Sequence, residues 1–391
     1  MKSYKYIIIG GGMTGDSAAK GIREIDKNGS LALISKESHL PYDRPPLTKD
    51  LWKGKEVEKI YRGTDKINAE IFLDTEIVSI NLANNEITDK KNNKYTYEKL
   101  LLATGGKVIK LPFGEEHILY YRTLRDYEKL ILLTKTKNDF IVIGGGFIGT
   151  EIAAALSMSG KKVTIVFPEK LIGGRVFPKD LAEFVTKFYK DKGVIVKSGE
   201  SALGIEKKGE KLVLTTSSGK ELKTDSVVGG IGIRPDIELA KKAGIKTDNG
   251  IVVDEYLRTS ADNIYAAGDN ANFYNPALDK RIRIEHADNA NKMGKHAGLN
   301  MAEKNEPFNY LPFFYSDMFE LGYEAIGELN STYDAFSDWI EPFRKGVVYF
   351  LNNGKVRGVL LWDVWGKVDE ARELIASKKE YKPEELKGKI K

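Results

Sequence analysis

Two stretches of the chain repeat one design: a short apolar strand, a run of three glycines, a fourth glycine three residues on, then a helix and a second strand. In the first stretch, Tyr6–Ile9 leads into Gly10–Gly15 (GGGMTG), a helix through Ile25 and the strand Leu31–Ser35. In the second, Phe140–Ile143 leads into Gly144–Gly149 (GGGFIG), a helix reading EIAAALSMSG and the strand Lys162–Phe167. A strand, glycine turn, helix and second strand within about 30 residues make the βαβ unit of a dinucleotide fold. Two such units, about 135 residues apart in a chain of 391 residues, predict two nucleotide domains.

Each glycine has a physical task. Gly10 and Gly144 permit the tight turn, Gly12 and Gly146 let backbone approach a pyrophosphate, and Gly15 and Gly149 let helix and strand pack closely. A phosphate at the turn meets free N–H groups and the positive end of the helix. The second half of the pattern is a carboxylate about 20 residues on, which accepts hydrogen bonds from ribose hydroxyls. Glu169 fills that place in the second unit; in the first, the candidate is Glu37, preceded by Lys36. Each also reads as an ordinary loop charge. A carboxylate at 169 repels a 2′-phosphate, which predicts NADH over NADPH. Arg175 nearby can still receive a phosphate, so NADPH remains a weaker option.

Composition removes several rival chemistries. The chain has no cysteine. Thiol nucleophiles, disulfides, cysteine-bound zinc and iron–sulfur clusters are therefore excluded, and no metal centre is expected. Any electron relay must be a bound organic cofactor. The net charge of +5 is spread among mixed charges rather than blocked, so no nucleic-acid partner is expected. No apolar run reaches the ~18 residues of a membrane span. With a strand starting almost at once, no leader is expected either, and the default compartment is the cytoplasm.

Short alternating segments follow each unit: Ile71–Ile80, Glu86–Asp89 and Lys94–Tyr97, then Lys211–Thr216 and Lys220–Lys223. They read as antiparallel hairpins added to parallel sheets. Further strands are expected at Tyr323–Glu328, Gly346–Leu351 and Lys355–Trp362, with a helix near Val368–Ser377 and a mobile charged tail from Lys378. The fold class is α/β, with two Rossmann-like domains and a small C-terminal α+β domain. The expected boundaries are 1–112 with 245–310 for the first nucleotide domain, 113–244 for the NAD(H) domain, and 311–391 for the C-terminal domain.

These residues carry a family resemblance. The chain resembles the FAD- and NAD(P)-dependent pyridine nucleotide oxidoreductases of the glutathione-reductase class. It is most similar to the ferredoxin-reductase branch and its apoptosis-inducing-factor-like members. Leu40–Trp52 (LPYDRPPLTKDLW) resembles a stretch that passes beside the flavin in this family. Leu102–Gly106 (LATGG) and Ile264–Ala271 (IYAAGDNA) resemble its later FAD motifs, and FPEK, IEHADNA, GYEAIG and KGVVYFL…VLLW are also shared.

The resemblance implies site residues. Arg44 would bind FAD phosphates or the ribityl region, Lys49 would lie near flavin N5, and Ala103, Thr104 and Gly105 would line the FAD turn. Asp269 would bond the ribityl chain, and Arg122 joins the cofactor-binding set. Phe147 and Glu151 would lie where nicotinamide meets flavin, with Gly232 and Tyr315 also on the nicotinamide side, and Ile148 and Glu324 join the cofactor-binding set. His286 would be a flavin neighbour. Lys49, Glu151 and His286 form the catalytic set, with a Lys49–Glu151 ion pair near N5. From the residues alone, Glu151 reads equally as a helix-start carboxylate complementing the dipole. Arg44 and Lys49 read as solvated loop charges, and His286 as a structural histidine.

There are departures from the family pattern. Lys36 stands where relatives often carry an acid, and Tyr315 replaces an expected Trp. The long C-terminal insert and leader of the animal proteins are missing, so no apoptotic role is inferred.

The implied reaction is hydride transfer from NADH C4 to flavin N5, then electron transfer to an acceptor. The leading acceptor is a small redox protein such as ferredoxin or rubredoxin, with a quinone, oxygen or a dye as small-molecule alternatives. A homodimer is compatible with this reading. The rival is a slow NADH-binding redox sensor whose cofactor state controls dimerisation or partner docking. A fold that binds no FAD would give a colourless protein.

Overall fold

The computed structural model describes residues 1–390. The chain divides into two compact units: Met1–Arg44, Glu56–Lys107 and Arg234–Pro312 form the first, and Pro45–Lys55, Val108–Ile233 and Phe313–Lys391 the second. This grouping differs from the sequence boundaries in several places: residues 108–112 fall in the second unit, and residues 234–244 and 311–312 in the first. Pro45–Lys55 groups with the second unit, and the C-terminal sheet groups with the second parallel sheet.

The first unit is built on parallel strands in the order Glu70–Phe72, Leu31–Ile34, Lys2–Ile9, Lys94–Leu102 and Ile264–Ala266. Ile7, Ile8, Leu33, Leu100 and Leu101 are wholly buried. That is why these strands read as continuous apolar runs rather than alternating ones. Helices Met13–Ile25 and Ala287–Met301 pack tightly together, since a Cβ on Gly298 would lie 2.0 Å from the Ala18 carbonyl oxygen.

The stretch Ile71–Ile80 is not one hairpin strand. It breaks where Asp74 takes φ +49°, so Glu70–Phe72 extends the parallel sheet and only Ile77–Asn81 pairs with Glu86–Asp89. Lys94–Tyr97 likewise runs on to Leu102. Its start pairs antiparallel with Glu86–Asp89 on one side, while Tyr95 to Leu102 pairs parallel with Lys2–Ile9 on the other.

The second unit has its own parallel sheet, ordered Ile195–Ser198, Lys162–Phe167, Asp139–Ile143, Ser226–Gly229, Ile118–Tyr120. An antiparallel sheet of Ala202–Lys208, Lys211–Thr216 and Glu221–Thr224 accompanies it. A five-stranded antiparallel sheet follows, ordered Phe313–Met318, Leu321–Gly327, Lys355–Trp362, Lys345–Asn352, Asp334–Glu341. Both edge strands escaped the sequence reading. Asp334–Glu341 carries charges at both ends and has no fully buried residue, so the pattern of a half-buried strand is weak there.

The charged tail is docked rather than free. Leu386 and Ile390 are buried, the Gly388 N–H donates to Asp338 at 2.7 Å, and the Ile390 N–H donates to the Tyr349 hydroxyl at 3.3 Å. Two apolar residues four apart among the lysines anchor it. No helix among the described residues is long and apolar enough to cross a membrane.

Candidate dinucleotide and redox sites

The two glycine turns coincide in register. Ile9 pairs with Ile34 in the first unit, and Ile143 pairs with Val166 in the second. A Cβ on Gly11 would strike Ser35 and one on Gly145 would strike Phe167, each one residue beyond those pairs. Glu37 and Glu169 therefore occupy equivalent positions, three residues past the matched strand ends. Lys36 corresponds to Pro168 and is bound elsewhere, with its ammonium 3.6 Å from Asp236.

The glycines also divide by task as their spacing implies. Gly10 and Gly144 take φ +128° and +117°. A Cβ on Gly15 or Gly149 would lie 2.0 Å from the carbonyl oxygen of Gly10 or Gly144, so helix and turn can close only on glycine. Gly12 and Gly146 differ: each is a helix N-cap without a side-chain cap bond. A Cβ on Gly146 would meet nothing within 4 Å, and one on Gly12 only Arg44 Nη2 at 4.0 Å. Open helix starts with uncapped N–H groups fit the pyrophosphate of a dinucleotide.

In the first unit, Arg44 is ion-paired to Glu37, whose other oxygen accepts from the Tyr42 hydroxyl at 2.7 Å. Burial opposes the Arg44 charge, but Tyr42, Glu37 and Asp269 outweigh it and hold the guanidinium more firmly charged than usual. Thr104, between Ala103 and the left-handed Gly105, accepts from Asn270 Nδ2 at 2.8 Å and donates to the Asp236 carbonyl at 2.6 Å. Beneath the first turn, Asp16 is fully buried and accepts from Arg62 Nε (2.6 Å), Lys20 Nζ (2.9 Å) and Thr64 Oγ1 (2.7 Å). Arg62 also pairs with Asp43, so this cluster fixes the loop that presents Arg44.

His286 is the N-cap residue of helix Ala287–Met301. Burial pushes its imidazole down to about 4, against a weaker upward pull from Asp269. Because the folded value lies below the ordinary 6.5, the unfolded chain binds the proton first. The contribution is fully present above about 6.5 and is lost as pH falls toward 4. His286 keeps part of its surface open, which moderates the effect. His286→Asn should therefore flatten the fall in stability between those pH values. Identical slopes in denaturant unfolding of the two proteins would contradict this.

In the second unit, Lys49 Nζ lies 2.6 Å from Glu151 Oε1, and both residues are buried. The Lys49 ammonium also sits 5.3 Å from the ring centre of Tyr315, which is 39% exposed. Glu151 accepts from Thr48 Oγ1 and from Ser316 Oγ as well. Phe147 contacts Phe314 with ring centres 5.1 Å apart, and Ile148 beside it is 41% exposed. Glu324 pairs across the sheet with Tyr315; burial pushes its carboxyl up, against the Gly366 N–H that donates to it at 3.1 Å. Gly232 takes φ +97°, and its carbonyl accepts from the Ile109 N–H. Arg122 precedes helix Leu124–Thr136, where its backbone N–H donates to Asp126 of the Thr123 capping box. Glu169 is ion-paired to Arg175, itself largely exposed.

The expected residues thus gather in groups. Glu37, Arg44, Asp269 and His286 interact in the first unit; Lys49, Glu151 and Tyr315 meet in the second, and Glu169 meets Arg175. Sequence reasoning missed Thr48, Ser316, Tyr42 and Asp236. Thr48 and Ser316 each adjoin a residue already singled out, and their hydroxyl chemistry was the available signal.

A family model described as pyridine nucleotide-disulphide oxidoreductase matches residues 4–294. The chain belongs to this family. A second model, apoptosis-inducing factor, mitochondrion-associated, C-term, matches residues 337–377. Apoptosis-inducing factor 1, mitochondrial, of Dictyostelium discoideum is 34% identical over 423 residues, covering 97% of this chain and 79% of that protein. Monodehydroascorbate reductase 3 of Arabidopsis thaliana is 34% identical over 394 residues, covering 92% and 89%. Among solved structures, the ferredoxin reductase for the CYP199A2 system of Rhodopseudomonas palustris is 28% identical with a TM-score of 0.90, covering 97% and 96%. This member of the family is an FAD- and pyridine-nucleotide-dependent oxidoreductase of the ferredoxin-reductase branch.

Proposed function

We propose that the first glycine turn holds FAD and the second NADH, and that the chain reduces a small electron-transfer protein such as a ferredoxin or rubredoxin. The observation that carries this reading is the pair of register-matched, uncapped helix starts, each followed by a carboxylate at the same place. Bound FAD supplies the hydride acceptor and the onward electron carrier.

The chain's own residues bind, orient and bias. Gly12 and Gly146 offer uncapped backbone N–H groups to pyrophosphates, and Arg44 adds a positive charge beside Gly12. Lys49 places an ammonium where negative charge develops on a reduced ring, and Glu151 fixes that ammonium. Phe147, Ile148, Gly232, Tyr315 and Glu324 shape the nicotinamide side. Asp269, the Ala103–Gly105 turn, Arg122 and a neutral His286 complete the flavin surroundings. Glu37 and Glu169 accept from the ribose hydroxyls.

Glu169→Ala should weaken NADH binding about tenfold, the size of one charge-assisted hydrogen bond. It should leave NADPH unchanged or improved, because Arg175 loses its carboxylate partner and becomes free for a 2′-phosphate. Equal losses for both nucleotides would remove Glu169 from the ribose site.

The acceptor is tested by NADH consumption with purified ferredoxin, rubredoxin and monodehydroascorbate radical in parallel. Fastest turnover with a redox protein is expected. The mild positive charge suits an acidic carrier, and the 28%-identical structure is named as a ferredoxin reductase. Fastest turnover with the radical would favour a small-molecule acceptor, supported by the higher identity to monodehydroascorbate reductase 3. Slow turnover with every acceptor, a persistent long-wavelength absorbance and a change in oligomer size would favour the redox sensor. The reading includes a cytoplasmic setting, as for the relative named cytosolic monodehydroascorbate reductase 4; cell fractionation checks it.

A further inference from the structure

Glu151 is 4% exposed and is held by donors from two other stretches of chain. Its Oε1 accepts from Lys49 Nζ at 2.6 Å and from Ser316 Oγ at 2.5 Å, and its Oε2 accepts from Thr48 Oγ1 at 2.5 Å. The donors are buried as well: Ser316 is 1%, Thr48 7% and Lys49 8% exposed. Thr48 ends the short helix Pro45–Thr48, Glu151 sits in the first turns of helix Phe147–Met158, and Ser316 comes from edge strand Phe313–Met318.

A carboxylate has two oxygens and a free torsion, and one ammonium fixes only one oxygen. Lys49 carries a long flexible side chain, so its ammonium is only as well placed as the carboxylate it rests on. Hydroxyl donors on opposite oxygens remove the rotation of the Glu151 carboxylate. The strand that supplies Ser316 also supplies Tyr315, the ring beside the Lys49 ammonium. One segment thus bounds both members of the ion pair.

We infer that Thr48 and Ser316 are positioning residues for hydride transfer: their hydroxyls lock Glu151 so that Lys49 is held at a single point. The inference rests on the proposed function and assigns the C-terminal sheet a part in the reaction. Small displacements of an oriented charge cost rate rather than binding, because the charge acts on the transition state.

Three variants of the holoenzyme test this by single-turnover reduction with NADH. Thr48→Val removes the hydroxyl at nearly constant volume, Thr48→Ser keeps it, and Ser316→Ala removes the second donor. Thr48→Val and Ser316→Ala should each lower the limiting reduction rate about tenfold while leaving the NADH dissociation constant within about twofold. Thr48→Ser should match the parent, and removing a donor should alter the pH profile of the rate. The inference is overturned if Thr48→Val retains the parental rate and pH profile and loses only thermal stability. Should Ser316→Ala fail to fold, the Thr48 pair decides alone. A parent protein whose flavin NADH cannot reduce defeats the proposed function and this inference with it; a parent that is reduced, with unaltered variants, defeats the inference only.

Discussion

Replacing Lys49 with methionine is expected to slow flavin reduction by NADH about 10²-fold, because it removes the ammonium proposed to face the developing charge. The same change strands a buried carboxylate. Glu151 loses its 2.6 Å partner while staying 4% exposed, and breaking such a pair costs about 3–5 kcal/mol. The two effects separate in the double variant Lys49→Met with Glu151→Gln. A neutral amide needs no counter-ion, so unfolding by denaturant should show most of the stability regained. The slow reduction should persist, since no ammonium has returned. A double variant that recovers both stability and rate would reduce the pair to a packing device. Parental rates in Lys49→Met alone would do the same.

A large effect with little structural cost is expected at the open glycines. Gly146 has φ −83°, and its added Cβ would meet nothing, so the fold should accept Gly146→Val at a cost of about 1 kcal/mol, the usual range for an N-cap change. The new side chain would stand in the space proposed for the pyrophosphate. NADH affinity should fall more than about 100-fold, equivalent to ~2.7 kcal/mol, with the flavin spectrum retained. Gly12→Val should give the opposite phenotype: folded but colourless protein. The contrast with Gly149→Ala is instructive, because its Cβ would lie 2.0 Å from the Gly144 carbonyl oxygen and should prevent correct folding. Calorimetric titration with NADH and an absorbance spectrum read both outcomes. Normal NADH binding by Gly146→Val would remove the second turn from the nucleotide site.

Much of this organisation is legible in the sequence because it depends on local chain geometry. Both βαβ units could be read from GGGMTG and GGGFIG, since a positive φ at Gly10 and Gly144 and a contact with no room for Cβ at Gly15 and Gly149 admit no other residue. Strands buried on both faces, such as Leu31–Ile34, announce themselves as apolar runs. Elements governed by distant partners do not. Asp334–Glu341 is an edge strand whose pairing with Lys345–Asn352 leaves no buried side of its own. Glu70–Phe72 is too short to show that its partner is Leu31–Ile34. The docked tail depends on Asp338 and Tyr349, about 40 to 50 residues back in the chain.

The site follows the same rule. Lys49 and Glu151 could be nominated from the family resemblance, but Ser316 bonds to a residue 165 positions away in sequence. Nothing local to the segment FYSD indicates that partner. The equivalence of Glu37 and Glu169 rests on strand register, Ile9 with Ile34 and Ile143 with Val166, which counting from the glycines leaves uncertain by a residue or two.

Two dinucleotides on one chain, one giving a hydride to the other, is the claim most directly tested by mixing the purified protein with NADH in the absence of oxygen and following the flavin band. A yellow protein that loses its colour in a single fast phase, and far less readily with NADPH, is expected. A colourless preparation, or a yellow one whose band is unchanged by millimolar NADH, would contradict it.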